Sequence, residues 1–78
     1  MTWTTHRYSL TKCHVSERGP MVLVVFATMT RPAWQWAVVR RSRWLDIERN
    51  PWRLDGVAEH IGGAGSWQQA RRYAMKKH

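Results

Sequence analysis

The run Met21-Val22-Leu23-Val24-Val25-Phe26-Ala27-Thr28-Met29 decides the fold. Its apolar residues are continuous rather than alternating, and β-branched valines dominate it. A short run of this kind predicts a central strand covered on both faces. It cannot be a membrane span, which needs about 20 apolar residues. Arg31-Pro32 interrupts any extension toward Val39.

Upstream, residues 3–15 (W-T-T-H-R-Y-S-L-T-K-C-H-V) are rich in threonine, tryptophan, tyrosine and valine, a composition that suits a strand surface. Tyr8 and Leu10 share one parity while Cys13 and Val15 share the other, so a bulge or a strand break is expected near Thr11. Ser16-Glu17-Arg18-Gly19-Pro20 reads as a turn. A hairpin joining 3–15 to 21–29 follows.

Downstream, Thr30-Arg31-Pro32 breaks the run, because proline cannot donate to a ladder. Ala33–Val39 resumes as a strand with Trp34, Trp36 and Val38 on one face and Ala33, Gln35, Ala37 and Val39 on the other. Ser42–Asn50 reads equally as a short helix capped by Ser42 or as a strand with Leu45 and Ile47 inward. Asp55-Gly56 is a favoured hairpin turn pair between Trp52–Leu54 and Val57–Ile61, with a short helix from Asp55 to Ile61 as the alternative. Gly62-Gly63-Ala64-Gly65 reads as a flexible connector. Ser66 and Gln69 then form a capping box that opens a final helix from Trp67 to about Lys77. Trp67, Ala70, Tyr73 and Ala74 line its inner face, and Gln68, Gln69, Arg72 and Lys76 point away. These elements predict an α+β fold: an antiparallel sheet of three to five strands with one C-terminal helix packed across it, in a single compact domain spanning residues 1–78.

Such a chain lies near the lower size limit for folding on an apolar core alone. Its single cysteine, Cys13, excludes an intrachain disulfide and suits a reducing cytoplasm. The tryptophans are therefore expected as core mass, the chain as a homo-oligomer such as a homodimer, or some of both. The N-terminal residues contain no apolar run of signal-peptide length.

Thirteen lysines and arginines against five acids give a net charge of +8. Ten of those cations are arginine, a bias that GC-rich coding also produces. The charge directs attention to nucleic acid or an acidic protein surface as partner. Anionic lipid fits less well, because no lysine-rich amphipathic helix is evident. Residues 31–54 hold four of the six tryptophans and six of the ten arginines. Tryptophan and arginine dominate binding energy at protein interfaces, and together they grip single-stranded nucleic acid. Trp34 and Trp36 share a face and are expected in the core. Trp44 and Trp52, beside turns and charges, are the expected anchors, flanked by Arg40, Arg41, Arg43 and Arg53.

Other motifs carry less. Gly62-Gly63-Ala64-Gly65 matches a bare G-x-x-G, but its middle residues are uncharged. Cys13, His14, His6 and His60 lack the paired spacing of a metal site. Cys13 and His14, adjacent on a strand, cannot form a nucleophilic dyad. The acids offer no catalytic pair. The sequence therefore reads as a binding protein without metal or cofactor, not an enzyme.

The second half, with Trp34-x-Trp36-x-Val38, Asp55-Gly56, and Gly65-Ser66 opening a helix with Ala70 and Ala74 inside, resembles small β–β–α proteins of phages and mobile elements. Some of these are anti-CRISPR proteins, which bind a CRISPR effector complex and block recognition or cleavage of target DNA. The resemblance covers roughly residues 33–77, and residues 40–54 are longer than its tight hairpin. It implies an inhibitor acting in the cytoplasm of a bacterial host. Its target would be an acidic protein face, or the guide RNA or DNA of a nucleoprotein complex. A small nucleic-acid-binding protein is the alternative.

Overall fold

In the computed structural model, residues 3–8, 11–28, 33–47, 54 and 56–77 are described. Five strands form one sheet in the order of the chain: β1 (Thr4–Tyr8), β2 (Thr11–Arg18), β3 (Met21–Ala27), β4 (Trp34–Arg40) and β5 (His60–Ala64). Every neighbouring pair is antiparallel. Helix α2 (Trp67–Lys77) lies across one face of the sheet, and the short helix α1 (Arg41–Ile47) lies against the other. The α+β architecture read from the sequence is the one observed.

β3 is the middle strand, and Val22 through Phe26 are all buried. Because successive side chains alternate between faces, the run feeds two cores. Val22, Val24 and Phe26 join Cys13, Val15, Ala37, Val39, Trp44, Ile47 and Leu54 on the α1 side. Leu23 and Val25 join Trp36, Val38, Ala64, Ala70 and Ala74 on the α2 side. The alternation read for β4 holds, with Trp36 and Val38 on the α2 side and Ala37 and Val39 on the other.

Several boundaries differ from expectation. Residues 3–15 contain two paired strands, with Tyr8 opposite Thr11, so the break near Thr11 is a chain reversal. β2 continues to Arg18, and the turn contracts from Ser16–Pro20 to Gly19-Pro20. Gly19 has φ 58°. A two-residue hairpin with a positive φ at its first position and proline at its second matches a type II′ turn, since proline cannot supply the second positive φ of type I′.

The 42–50 ambiguity resolves as helix over residues 41–47, with 48–50 outside the described residues. The helix starts before Ser42, which is therefore not its cap. Arg41 N–H donates instead to the Pro20 carbonyl at 2.8 Å, giving a helix-end amide a partner from the β2–β3 turn. Trp44 and Ile47, three residues apart, face the core together.

Of the expected Asp55-Gly56 hairpin, Trp52, Arg53 and Asp55 lie outside the described residues, while residues 57–59 are not in a strand and Ile61 pairs with Ala37 of β4. The Leu54 carbonyl accepts from both Val57 N–H (3.1 Å) and Ala58 N–H (2.9 Å) in a helix-like turn. Leu54, 1% exposed, fills the α1-side core, with Val57 and Ala58 packed against it.

The supposed glycine connector is an edge strand. β5 pairs with β4 in a register that sets Trp36 opposite Gly62 and Trp34 opposite Ala64. A Cβ at Gly62 would sit 2.7 Å from Trp36 Cζ2 and 2.8 Å from Cε2. The indole therefore lies on the backbone of β5, and glycine is there to let it. The capping box is formed with a variation. Ser66 Oγ accepts from Gln69 N–H at 3.2 Å, while Gln69 Oε1 accepts from Gly65 N–H at 3.0 Å. Ala70 and Ala74 are fully buried, so α2 lies close to the sheet, with Trp67 half-buried and Tyr73 36% exposed at its margins.

Gly62→Ala is expected to destabilise the fold by about 1–3 kcal/mol through overpacking against the Trp36 ring. Gly65→Ala, whose Cβ would meet only Gln69 Oε1 at 3.5 Å, should change stability by less than about 1 kcal/mol. Urea melts of the two variants check the difference, and equal midpoints would contradict it.

Candidate functional site

Of the expected anchor set in residues 40–53, the structure buries Trp44 and leaves Arg40 and Arg43 exposed. Arg40 Nε donates to Glu59 Oε1 at 3.0 Å. The pair is well exposed and contributes at most about 1 kcal/mol. Arg41 is structural: its Nε and Nη2 both donate to the Gly19 carbonyl, at 3.1 and 2.8 Å, and its Nη1 approaches Glu17 Oε1 at 3.2 Å. It thus ties α1 to the β2–β3 turn. Trp44, expected as an exposed anchor, is 4% exposed and belongs to the α1-side core. A helix placed over the sheet must bury its largest apolar side chain. Arg43 is exposed on α1 and has no ion pair among the described residues. Trp52 and Arg53 lie outside the described residues.

The structure gathers a different set of the same residue types at one end of the α2 face. Trp67 and Arg71, one helical turn apart on α2, stack with the Arg71 Cζ 4.2 Å from the Trp67 ring centroid. Trp3, just ahead of β1, has its ring centroid 5.4 Å from the same carbon. His14 of β2 approaches Trp67 with ring centroids 4.9 Å apart and Trp34 of β4 with centroids 6.1 Å apart. His14 Nδ1 shares a 3.0 Å hydrogen bond with Thr5 Oγ1 on β1. The result is a row of rings, Trp34–His14–Trp67, ending in an arginine that lies over two indoles.

Trp3, His14, Trp34, Trp67 and Arg71 are all half-buried, so they are neither core nor free surface. An arginine over an indole gains about 0.5–2 kcal/mol, depending on desolvation. Here that gain is opposed, because Trp3 Nε1 and Arg71 Nε are buried without a hydrogen-bond partner among the described residues. A buried donor left unmatched costs about 1–3 kcal/mol. On the outer side of α2, Arg72, Lys76 and Lys77 are exposed, with no ion pair among the described residues. The end of the molecule built from β1, β2 and α2 is therefore aromatic, cationic and short of acceptors.

Sequence reading placed Trp34 in the core and assigned Arg71 no role. The i, i+4 spacing of Trp67 and Arg71 was the available signal. His14 was separable from Cys13 by strand parity, and the structure puts them on opposite faces. Burial pushes the Cys13 thiol up to about 12. Among the described residues, no three histidines, cysteines or acids are grouped to hold a metal ion. No helix there is long and apolar enough to cross a membrane.

No protein-family model matches the chain, and comparison with curated proteins and with solved structures gave no match.

The Cys13 shift has a measurable sign. The folded state holds the thiol proton more tightly than the unfolded chain does. Its contribution is intact below the ordinary thiol range and is lost as pH rises from about 9 toward about 12. Stability should fall in that window more steeply than in Cys13→Ala, by up to about 1.4 kcal/mol per pH unit. Parallel slopes for the two proteins in pH-dependent urea melts would contradict the burial of this thiol.

Proposed function

We propose that the protein is a small, basic, non-enzymatic inhibitor of a nucleoprotein complex: an anti-CRISPR protein of a phage or mobile element. In this reading it docks on a CRISPR effector in the bacterial cytoplasm and blocks target recognition. The observation that carries the reading is the Trp3–Arg71–Trp67 stack, an arginine with no acid beside it among the described residues, on the helix that also exposes Arg72, Lys76 and Lys77. Half-buried tryptophan with arginine is what binding hot spots are made of. The guanidinium suits planar contacts with carboxylate or phosphate. Among the described residues, the acids in ion pairs are Glu59 and Glu17, engaged with Arg40 and Arg41 and not with this end. A buried, protonated thiol and a histidine on the opposite face fit binding better than catalysis.

The ring row Trp34–His14–Trp67 also favours a second reading, a nucleic-acid-binding protein that stacks bases on these side chains. The two are separated by expressing the protein in bacterial hosts that carry different CRISPR systems and challenging each with a phage its spacers match. The inhibitor reading predicts restored plaque formation in at least one host and co-migration of the protein with that host's effector complex. Interference left intact in every host, with submicromolar affinity for arbitrary free oligonucleotides at ~0.15 M salt and a log–log salt slope of about −0.7 per phosphate engaged, would establish the second reading instead.

A further inference from the structure

The two donors unmatched among the described residues, Trp3 Nε1 and Arg71 Nε, belong to stacked side chains. Neither group can accept a hydrogen bond, so neither can satisfy the other. Buried donors without acceptors are rare in folded proteins, and each calls for a group that completes it. At this place that group should be anionic. Arg71 carries a charge, and the ion pairs of the described residues involve only Glu17 and Glu59, engaged elsewhere.

We propose that this cluster is an oxyanion site for the phosphodiester backbone of single-stranded nucleic acid, with a neighbouring base stacked on the Trp67 or Trp34 ring. The inference rests on reading the cluster as the binding surface and specifies what it takes from a nucleoprotein target. Two observations favour phosphate over the carboxylates of an acidic protein. The half-buried Trp67 ring adjoins the guanidinium, with His14 and then Trp34 next in the row, and a nucleotide brings a flat base beside its phosphate where an acidic side chain brings only an aliphatic stem. Arg72 and Lys76 add a parallel row of exposed cations, about 6 Å apart along the axis, which a repeating phosphate chain meets more than once. Stacking requires an unpaired base, so a duplex should bind less well.

The test is tryptophan fluorescence of the purified protein titrated with oligothymidylate of about ten nucleotides, within the usual site size of one small domain. A duplex of equal length and poly-glutamate of equal charge are titrated in parallel. Oligothymidylate should quench the fluorescence saturably and bind more tightly than either. Arg71→Gln should weaken it by about tenfold or more, the loss expected for a charged hydrogen bond. Arg72→Gln should weaken it only about twofold to threefold, through screened charge. Arg71→Lys, which keeps the charge but not the planar fork, should weaken it by at least about fivefold, and it carries the test if Arg71→Gln does not fold. Absence of saturable quenching, equal losses at Arg71 and Arg72, full affinity in Arg71→Lys, or equal affinity for the duplex would each overturn the proposal. Poly-glutamate binding as tightly would assign the site to an acidic protein. CRISPR inhibition without Arg71-dependent oligothymidylate binding would defeat this inference alone. Arg71-dependent binding without inhibition in any host would defeat only the inhibitor reading.

Discussion

The structure depends on one constraint: β3 is apolar on both of its faces, so the sheet must be covered twice. Val22, Val24 and Phe26 cannot be solvated while Leu23 and Val25 are buried, or the reverse, without exposing three or two large apolar side chains. At roughly 1.5–3 kcal/mol for each such side chain, one bare face would remove much of the stability a domain of this size possesses. A chain of 78 residues has little material for two lids. Helix α2 supplies one. The connection from β4 to β5 supplies the other, and this is why α1, Leu54 and the turn at 54–58 press against the sheet.

That demand sorts the tryptophans. Trp36 and Trp44 are taken as mass, one for each core. Arg41 is taken as a brace between α1 and the Gly19-Pro20 turn. The residues that remain at a margin, Trp3, Trp34 and Trp67 with His14 and Arg71, collect beside α2, where side chains from ahead of β1, from β2 and from β4 meet it. The cluster thus consists of aromatic residues that are only partly buried, Trp3 and Trp34 packing against the rim of the α2-side core. Its shortage of acceptors distinguishes it from the paired arginines at 40 and 41.

Much of the fold was legible because local and global requirements agree. The unbroken run at 21–27 can only be a strand covered twice, the parity of Trp34, Trp36 and Val38 follows from the pleat, and Ser66 with Gln69 announces α2. Residues 60–64 were not legible, since glycine reads as a break. Gly62 is intelligible only once the Trp36 ring is known to lie on it from another strand. Arg41 escaped for the same reason, its carbonyl partner lying 22 residues away. Trp44 looked exposed because its neighbours are charged, yet on a helix those neighbours face outward while it faces in. The cluster at Arg71 draws on residues from across the chain, and only the Trp67–Arg71 spacing was open to reading beforehand.

Native-state hydrogen exchange in wild type, Trp36→Ala and Trp44→Ala tests the double cover most directly. Amides of β3 should exchange only through global unfolding. Each substitution, removing mass from a different face, should lower their protection by the full loss in stability, about 3–5 kcal/mol. If the β3 amides kept wild-type protection in either variant while the rest of the protein loosened, the sheet would stand without that lid, and the account of two interdependent cores would be wrong.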